Sequence, residues 1–284
     1  VPRFDHDVST GESLGLLIEE ARTNLIPYSE TFTSWSFTTN VSTGSTVAPD
    51  GTTNGVEMIE NTSNGQHNFS QTISSTGTFV YSIWAKQGAG SRNFGVTSYN
   101  ATDGEIQVIY NLSTGTKVSG TNDTTITAYP DGWYRITLKF TTTVATNIYA
   151  QIFDGTTTTY TGDGSSSMHI WGAQVEEGAF ATSYIPTNGS TVTRGSDAAK
   201  ITGTNFTDFY NDQESTIVCN FDQNAPTSSL ASGNERLYSF RKDSGADTRI
   251  DYVTYNDYHP YIAADGSAVA NLNGFTHLYG GLEN

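Results

Sequence analysis

Apolar and polar residues alternate with a period of two in several separate runs, as in strands that bury one face. The clearest is Thr78–Lys86, TFVYSIWAK, where Phe79, Tyr81 and Ile83 point one way and Val80, Ser82 and Trp84 the other. In WYRITLKFTTT, Trp133, Arg135, Thr137 and Lys139 stand opposite Tyr134, Ile136, Leu138 and Phe140. Asn93–Tyr99, Ile106–Tyr110 and Asn147–Phe153 (NIYAQIF) repeat the pattern. Pro-Asp-Gly, Asn-Gly and Gly-Ala-Gly turns punctuate these runs. Short strands at this spacing predict a β-sandwich.

Two phrases echo one another across the chain. Ile170–Thr187, IWGAQVEEGAFATSYIPT, begins as a strand and ends in a proline-marked turn. Leu16–Glu30, LLIEEARTNLIPYSE, repeats its order of apolar run, Glu-Glu, Ala and a Pro-marked close. They are expected to be the first and last edges of one sandwich, lying side by side where the chain enters and leaves it. Leu14, Leu17, Ile18 and Ala21 would also fit a helical face, but the likeness to the Trp171 stretch favours a strand. Glu19 and Glu20, adjacent on a strand, would point to opposite faces and cannot flank one bond as an acid–base pair. A pairing with Arg22 on a solvated edge is the simpler expectation.

Composition narrows the class. The 284 residues are 35% hydrophobic and only 15% charged, the balance being rich in Thr, Ser, Asn and Gly. That mixture suits strands and tight turns, so the fold class expected is all-β. The formal charge of −16 opposes a nucleic-acid partner, which needs basic stripes. No apolar run reaches membrane-spanning length, so no membrane insertion is expected. The single Cys219, in the run STIVCNF, reads as a buried thiol and cannot form an internal disulfide. The chain opens at Val1, which suggests that further sequence precedes it.

With these elements in order, the chain resembles a known family. TFVYSIWAKQGAG, DGWYRITLKFTTT, NIYAQIFD and MHIWGAQVEEG look like the jelly-roll carbohydrate-binding modules of polysaccharide-degrading enzymes. More narrowly, PRFDHD…TGESLGLLIEEARTNLIPYSETF with WGAQVEEGAFATSYIPTNGSTVTR resembles a module of bacteriophage tail-fibre and head-spike proteins, over about residues 1–195. The later text, FTDFYNDQESTIVCNFDQNAP, ERLYSFRK and TRIDYVTYN, is similar to the opening of concanavalin A-like, laminin G-like domains. The organisation expected is a connecting segment at 1–23, a jelly-roll β-sandwich at 24–187, a linker at 188–204 and a partial second β-sandwich at 205–284.

The resemblance implies a non-enzymatic virion component at the particle surface, binding cell-surface glycan, contacting other head or tail proteins and assembling as a homotrimer. Two other readings stand beside it: a carbohydrate-binding module of a secreted polysaccharide-degrading enzyme, and a purely structural capsid- or tail-decorating protein.

Candidate binding residues follow from sugar chemistry, in which an aromatic ring stacks on a pyranose face and amides or carboxylates bind hydroxyls. Tyr99, Tyr110 and Tyr160, next to polar loops, are the surface candidates, with Asn100, Asp103, Asn122 and Asp163 on the rim. Trp84 is a further plate, although core packing is the plainer reading of Trp35, Trp84, Trp133 and Trp171 alike. The resemblance also allows a structural calcium ion, for which Asp131, Asp154 and Asp163 offer oxygens, but no D-x-D-x-D-G loop places it. No other cofactor is implied. No G-x-S-x-G, H-E-x-x-H or P-loop motif is present, and His67, His259 and His277 stand alone, so no catalytic residues are assigned.

Overall fold

The computed structural model describes residues 2–209 and, further on, four strands. The chain divides into two compact units, Val1–Val218 and Cys219–Asn284.

The first unit opens with a hairpin of β1 (Arg3–His6) and β2 (Ser13–Leu17), followed by the short β3 (Arg22–Asn24). Next come β4 (Phe37–Thr39), β5 (Val41–Thr46), β6 (Gly55–Glu60), β7 (Asn64–Gly65) and β8 (His67–Ile73). The long β9 (Gly77–Gln87) precedes β10 (Asn93–Asn100), β11 (Gly104–Asn111), β12 (Thr116–Gly120) and β13 (Thr124–Ala128). Then follow β14 (Trp133–Thr142), β15 (Thr146–Phe153), β16 (Tyr160–Thr161), β17 (Ser167–Glu177) and β18 (Val192–Arg194). In the second unit β19 (Glu235–Arg241) pairs with β20 (Arg249–Thr254), and β21 (Tyr261–Ala264) with β22 (Ser267–Asn271). Most of the concanavalin A-like stretch, with Cys219, His259 and His277, lies outside the described residues.

Two six-stranded antiparallel sheets form the sandwich. Sheet I has the order β12-β11-β10-β15-β8-β4, and sheet II the order β13-β14-β9-β17-β6-β5. The alternation in the sequence decides which face is buried. Phe79, Tyr81 and Ile83 of β9 and Ile136, Leu138 and Phe140 of β14 meet Phe94, Val96, Ile148, Ala150 and Ile152 of sheet I in one core. Burying such a side chain contributes about 1.5–3 kcal/mol, and this core is shared by the two sheets. The chain is all-β, and no helix among the described residues is long and apolar enough to cross a membrane.

The two Glu-Glu phrases do lie side by side, but at the centre of sheet II rather than at an edge. β6 pairs with β17 only over Ser167–Ile170. A bulge then follows between Trp171 and Gln174, with Gly172 in the left-handed region at φ 64°. A Cβ at Gly172 would also stand 2.9 Å from Cε3 of Trp84, so the position suits glycine twice over. The extra residue shifts the phase of the strand. Met168 and Ile170 face the core before it, and Ala173 and Val175 after it.

Beyond the bulge, the N-terminal phrase takes the place β6 has left. Leu25 donates its backbone N–H to Val175 (2.8 Å), and Ala173 donates to Ser29 (2.9 Å). The buried Asn24 amide clips the seam, donating to the carbonyls of Ile185 (2.9 Å) and Ala173 (3.3 Å) and accepting from the amides of Ile26 and Val175. Leu14–Leu17 is strand, not helix, and the stretch expected to be a linker contains β18, paired with β3. The two acidic residues also differ in role. Glu20 pairs with Arg22, while Glu19 binds Arg3, Arg194 and the backbone amide of Ser183.

Candidate functional site: the open face of sheet I

Each sheet has an outer face, and the two faces are built differently. On sheet II, Trp84, Trp133 and Trp171 form a second buried cluster with Ala48, joined by Tyr129 and Tyr184. Trp84 lies edge-on to Trp171 (5.2 Å), Tyr184 (5.6 Å) and Tyr129 (5.9 Å), and the Arg135 guanidinium stacks over it at 4.5 Å. Trp171 donates its Nε1–H to Asn54 (3.0 Å). The segment after β17 folds back over the rings and is held by Tyr184, whose hydroxyl lies 2.6 Å from Ser29 Oγ and 2.9 Å from Glu30 Oε1, and by Ile185, whose N–H donates to Gln174. Beneath it the buried Glu176 accepts from the backbone amide and hydroxyl of Thr182. This face is sealed.

The outer face of sheet I is open. Registry across the strands places Phe37, Ser70, Tyr149, Thr97 and Gln107 in one transverse row and Thr72, Asn147, Tyr99 and Glu105 in the next. These alternate with the core-facing residues and so point outward. Ser70 and Thr97 are buried at the floor, Tyr149 and Gln107 are half-buried, and Tyr99 and Phe37 are 44% and 57% exposed. Tyr149 and Tyr99 are diagonal neighbours, about 7–8 Å apart at this geometry. Phe37 stands two strands from Tyr149, about 9–10 Å away. The outcome is a row of separated rings over a hydroxyl-rich floor.

The polar groups between the rings are partly pre-set. Gln107 Nε2 donates to Thr97 Oγ1 (3.2 Å) and to Glu105 (3.0 Å), and Thr72 donates to Asn147 Oδ1 (2.7 Å). One row further along, the buried Gln151 has an Nε2 with no hydrogen-bond partner. Rings that can stack on C–H faces, amides, and few charges make a surface suited to neutral polyhydroxyl ligands.

Of the six residues chosen from sequence, the structure brings only Tyr99 to this face. Tyr110 points into the core, its hydroxyl 3.0 Å from Thr124 Oγ1, because the polar text after it is the turn into β12. Tyr160 is also buried. It donates to the buried Glu60 carboxylate (2.6 Å) and lies under Arg92, which bridges Glu60 and Asp154. Trp84 belongs to the sealed cluster. Asn100 is a turn residue, accepting from the amides of Thr102 and Asp103 and donating to Asp103 and Thr142.

The carboxylates hold turns in the same way. Asp163 accepts from the amides and hydroxyls of Ser165 and Ser166, which hold its carboxyl well below the usual range. Asp103 does likewise with Thr143, Asn100 and Thr142, and its carboxyl is lowered too. Asp131 sits in a tight turn at φ 60°. Among the described residues no group of three or more His, Cys, Asp or Glu is gathered to hold a metal ion.

Sequence reading passed over Tyr149, Phe37, Asn147, Thr97 and Gln107. The phase of NIYAQIF carried the signal, since Asn147 and Tyr149 fall opposite Ile148, Ala150 and Ile152.

No protein-family model matches the chain, and no curated protein matches it. Among solved structures it is similar to one described as "CBM4 structure and function", at 16% identity and TM-score 0.28, over 48% of this chain and 76% of that one. It is also similar to the C-terminal CBM6 of a marine laminarinase from Zobellia galactanivorans, at 11% identity and TM-score 0.26, over 54% and 99%. At these scores the likenesses add no argument to the topology given above.

Proposed function

We propose that the first unit is a non-catalytic glycan-binding β-sandwich that takes a neutral saccharide chain across the outer face of sheet I. The observation carrying this reading is the row of Phe37, Tyr149 and Tyr99, exposed at Phe37 and Tyr99, above buried hydroxyls, in a sandwich whose outer-face tryptophans on sheet II are covered. Tyr149 and Tyr99 stack on sugar faces, while Asn147, Gln107 and Glu105 take the hydroxyls. One shallow site of this kind binds weakly. Several copies on one particle raise apparent affinity by roughly 10²–10⁴ where geometry permits.

The phrases around PRFDHD and WGAQVEEG support placing the module on a bacteriophage fibre or spike, exposed on the virion and contacting other head or tail proteins. Titration calorimetry against a panel of neutral oligosaccharides tests the binding. Heat lost in Tyr149→Ala and Tyr99→Ala variants that remain folded supports it, and a full glycan panel without signal overturns it. Labelled antibody on intact phage particles tests the placement separately.

A further inference from the structure

Both transverse rows of the open face end on β11, at Glu105 and Gln107. Beyond them the sheet is incomplete. β12 covers β11 only over Val108–Asn111, so Glu105 and Ile106 have no strand on that side among the described residues. The chain leaves β12 through Gly120 at φ 106°, where a Cβ would run into the Gln107 carbonyl oxygen, so the exit requires glycine. Thr121 then donates its N–H to that same carbonyl (2.9 Å). Asp123 carries the chain across to sheet II, its carbonyl accepting from the Lys139 amide (2.8 Å).

This crossing leaves a cavity of about 470 Å³ beside β11, a size that suits a small ligand. Ile106 and Phe140 give it an apolar side, and Glu105, Gln107, Thr121, Asp123 and Lys139 give it a polar one. Lys139 and Asp123 neutralise one another at 3.0 Å. Glu105 makes no ion pair among the described residues, so the lining is left with a net negative charge. An anionic sugar is repelled there, whereas the hydroxyls of an uncharged one can donate to the carboxylates and accept from the ammonium.

We propose that this cavity is a further subsite of the saccharide site, holding one uncharged sugar unit of a chain that stacks on Tyr99 and passes over the edge of β11. The inference rests on the glycan-binding reading above. Tyr99 and Glu105 are cross-strand partners, which sets their Cβ atoms about 4.5–5.5 Å apart. The unit that follows the one on Tyr99 therefore reaches the cavity. Its C–H face meets Ile106 and Phe140, and its hydroxyls meet the polar side.

Titration calorimetry of the full chain against linear gluco-, manno- and xylo-oligosaccharides, from the disaccharide to the hexasaccharide, tests the subsite. Thr121→Phe fills the cavity while keeping the backbone bond to Gln107, and Asp123→Ala removes part of its polar side. The expected result is a wild-type affinity that grows with chain length. In Thr121→Phe the affinity for the hexasaccharide should fall roughly tenfold, with little change for chains short enough to rest on the rings alone and no change in the near-UV tryptophan spectrum. Should Thr121→Phe fail to fold, Asp123→Ala is read in the same way. Binding that Tyr149→Ala weakens but neither cavity variant alters overturns the subsite and leaves the open face standing. A loss equal at every chain length marks a general disturbance and overturns it too. Absence of binding to every oligosaccharide overturns the glycan reading, and the subsite with it.

Discussion

The two outer faces of the sandwich carry similar residues and do opposite things with them. Sheet II sets three tryptophans outward and covers them with Tyr184 and the segment that returns along Asn24–Ser29. Sheet I sets Tyr149, Tyr99 and Phe37 outward, leaving Tyr99 and Phe37 exposed and Tyr149 half-buried between them. An aromatic residue outside the main core is therefore not a binding group by virtue of its position on the sheet. What decides is whether chain from elsewhere lies over it. On sheet II the cover extends the core, whereas on sheet I the missing cover leaves stacking area for a ligand.

The largest effect should come from the sealed face. Trp171→Ala removes a ring packed 4.6 Å from Tyr184 and 5.2 Å from Trp84, and should cost about 3–5 kcal/mol by denaturant unfolding. Saccharide affinity should be unchanged in the fraction that folds. Asn24→Leu comes next. It keeps the volume but strips partners from the carbonyls of Ala173 and Ile185 and the amides of Ile26 and Val175. A loss of about 2–4 kcal/mol is expected, with amide exchange fastest at Val175, where the cover meets the sheet.

The open face should answer in the reverse sense. Tyr149→Ala should move stability by less than about 1 kcal/mol and weaken saccharide binding roughly tenfold, the scale set by one lost aromatic contact. If Tyr149→Ala unfolds the protein, or Trp171→Ala leaves stability intact, the distinction between the faces collapses.

How far all this could be read beforehand depends on the range of the interaction. The faces of β9 and β14 were legible because alternation is local and the buried set is unbroken: Phe79, Tyr81, Ile83 and then Ile136, Leu138, Phe140. The kinship of the two Glu-Glu phrases was legible as well, because they repeat in text. Their position at the centre of sheet II was not, since it depends on the bulge at Gly172 and on Asn24 reaching residues about 150–160 positions away. The face proposed for binding was the least legible. Tyr99 could be picked out beside its turn. Tyr110 and Tyr160 looked equally exposed, and only tertiary packing turns the first into the core and the second under Arg92. Tyr149 was overlooked because an aromatic inside an apolar strand reads as core until the registry of its neighbours is known.

The smallest effect expected is the pH dependence that His169 contributes on the sealed face. His169 points outward from β17 with Lys86 and Glu57 as its cross-strand neighbours and the Trp133 ring 6.5 Å away. Its Nδ1 is buried without a partner. Burial holds its pKa below the ordinary histidine value, the charge of Glu57 opposes that shift, and Lys86 adds to it. The fold therefore favours the neutral ring. Its contribution is complete above the unfolded value of about 6.5 and is lost as pH falls from there through the lower folded value. Thermal unfolding should accordingly give a lower midpoint at pH 5.5 than at pH 7.5, and the gap should narrow in His169→Gln, which cannot take the proton. Tyr149→Ala should leave the His169 contribution untouched, because His169 lies on β17 of sheet II. A pH gap that persists undiminished in His169→Gln would locate the titrating group elsewhere and remove this difference between the covered face and the open one.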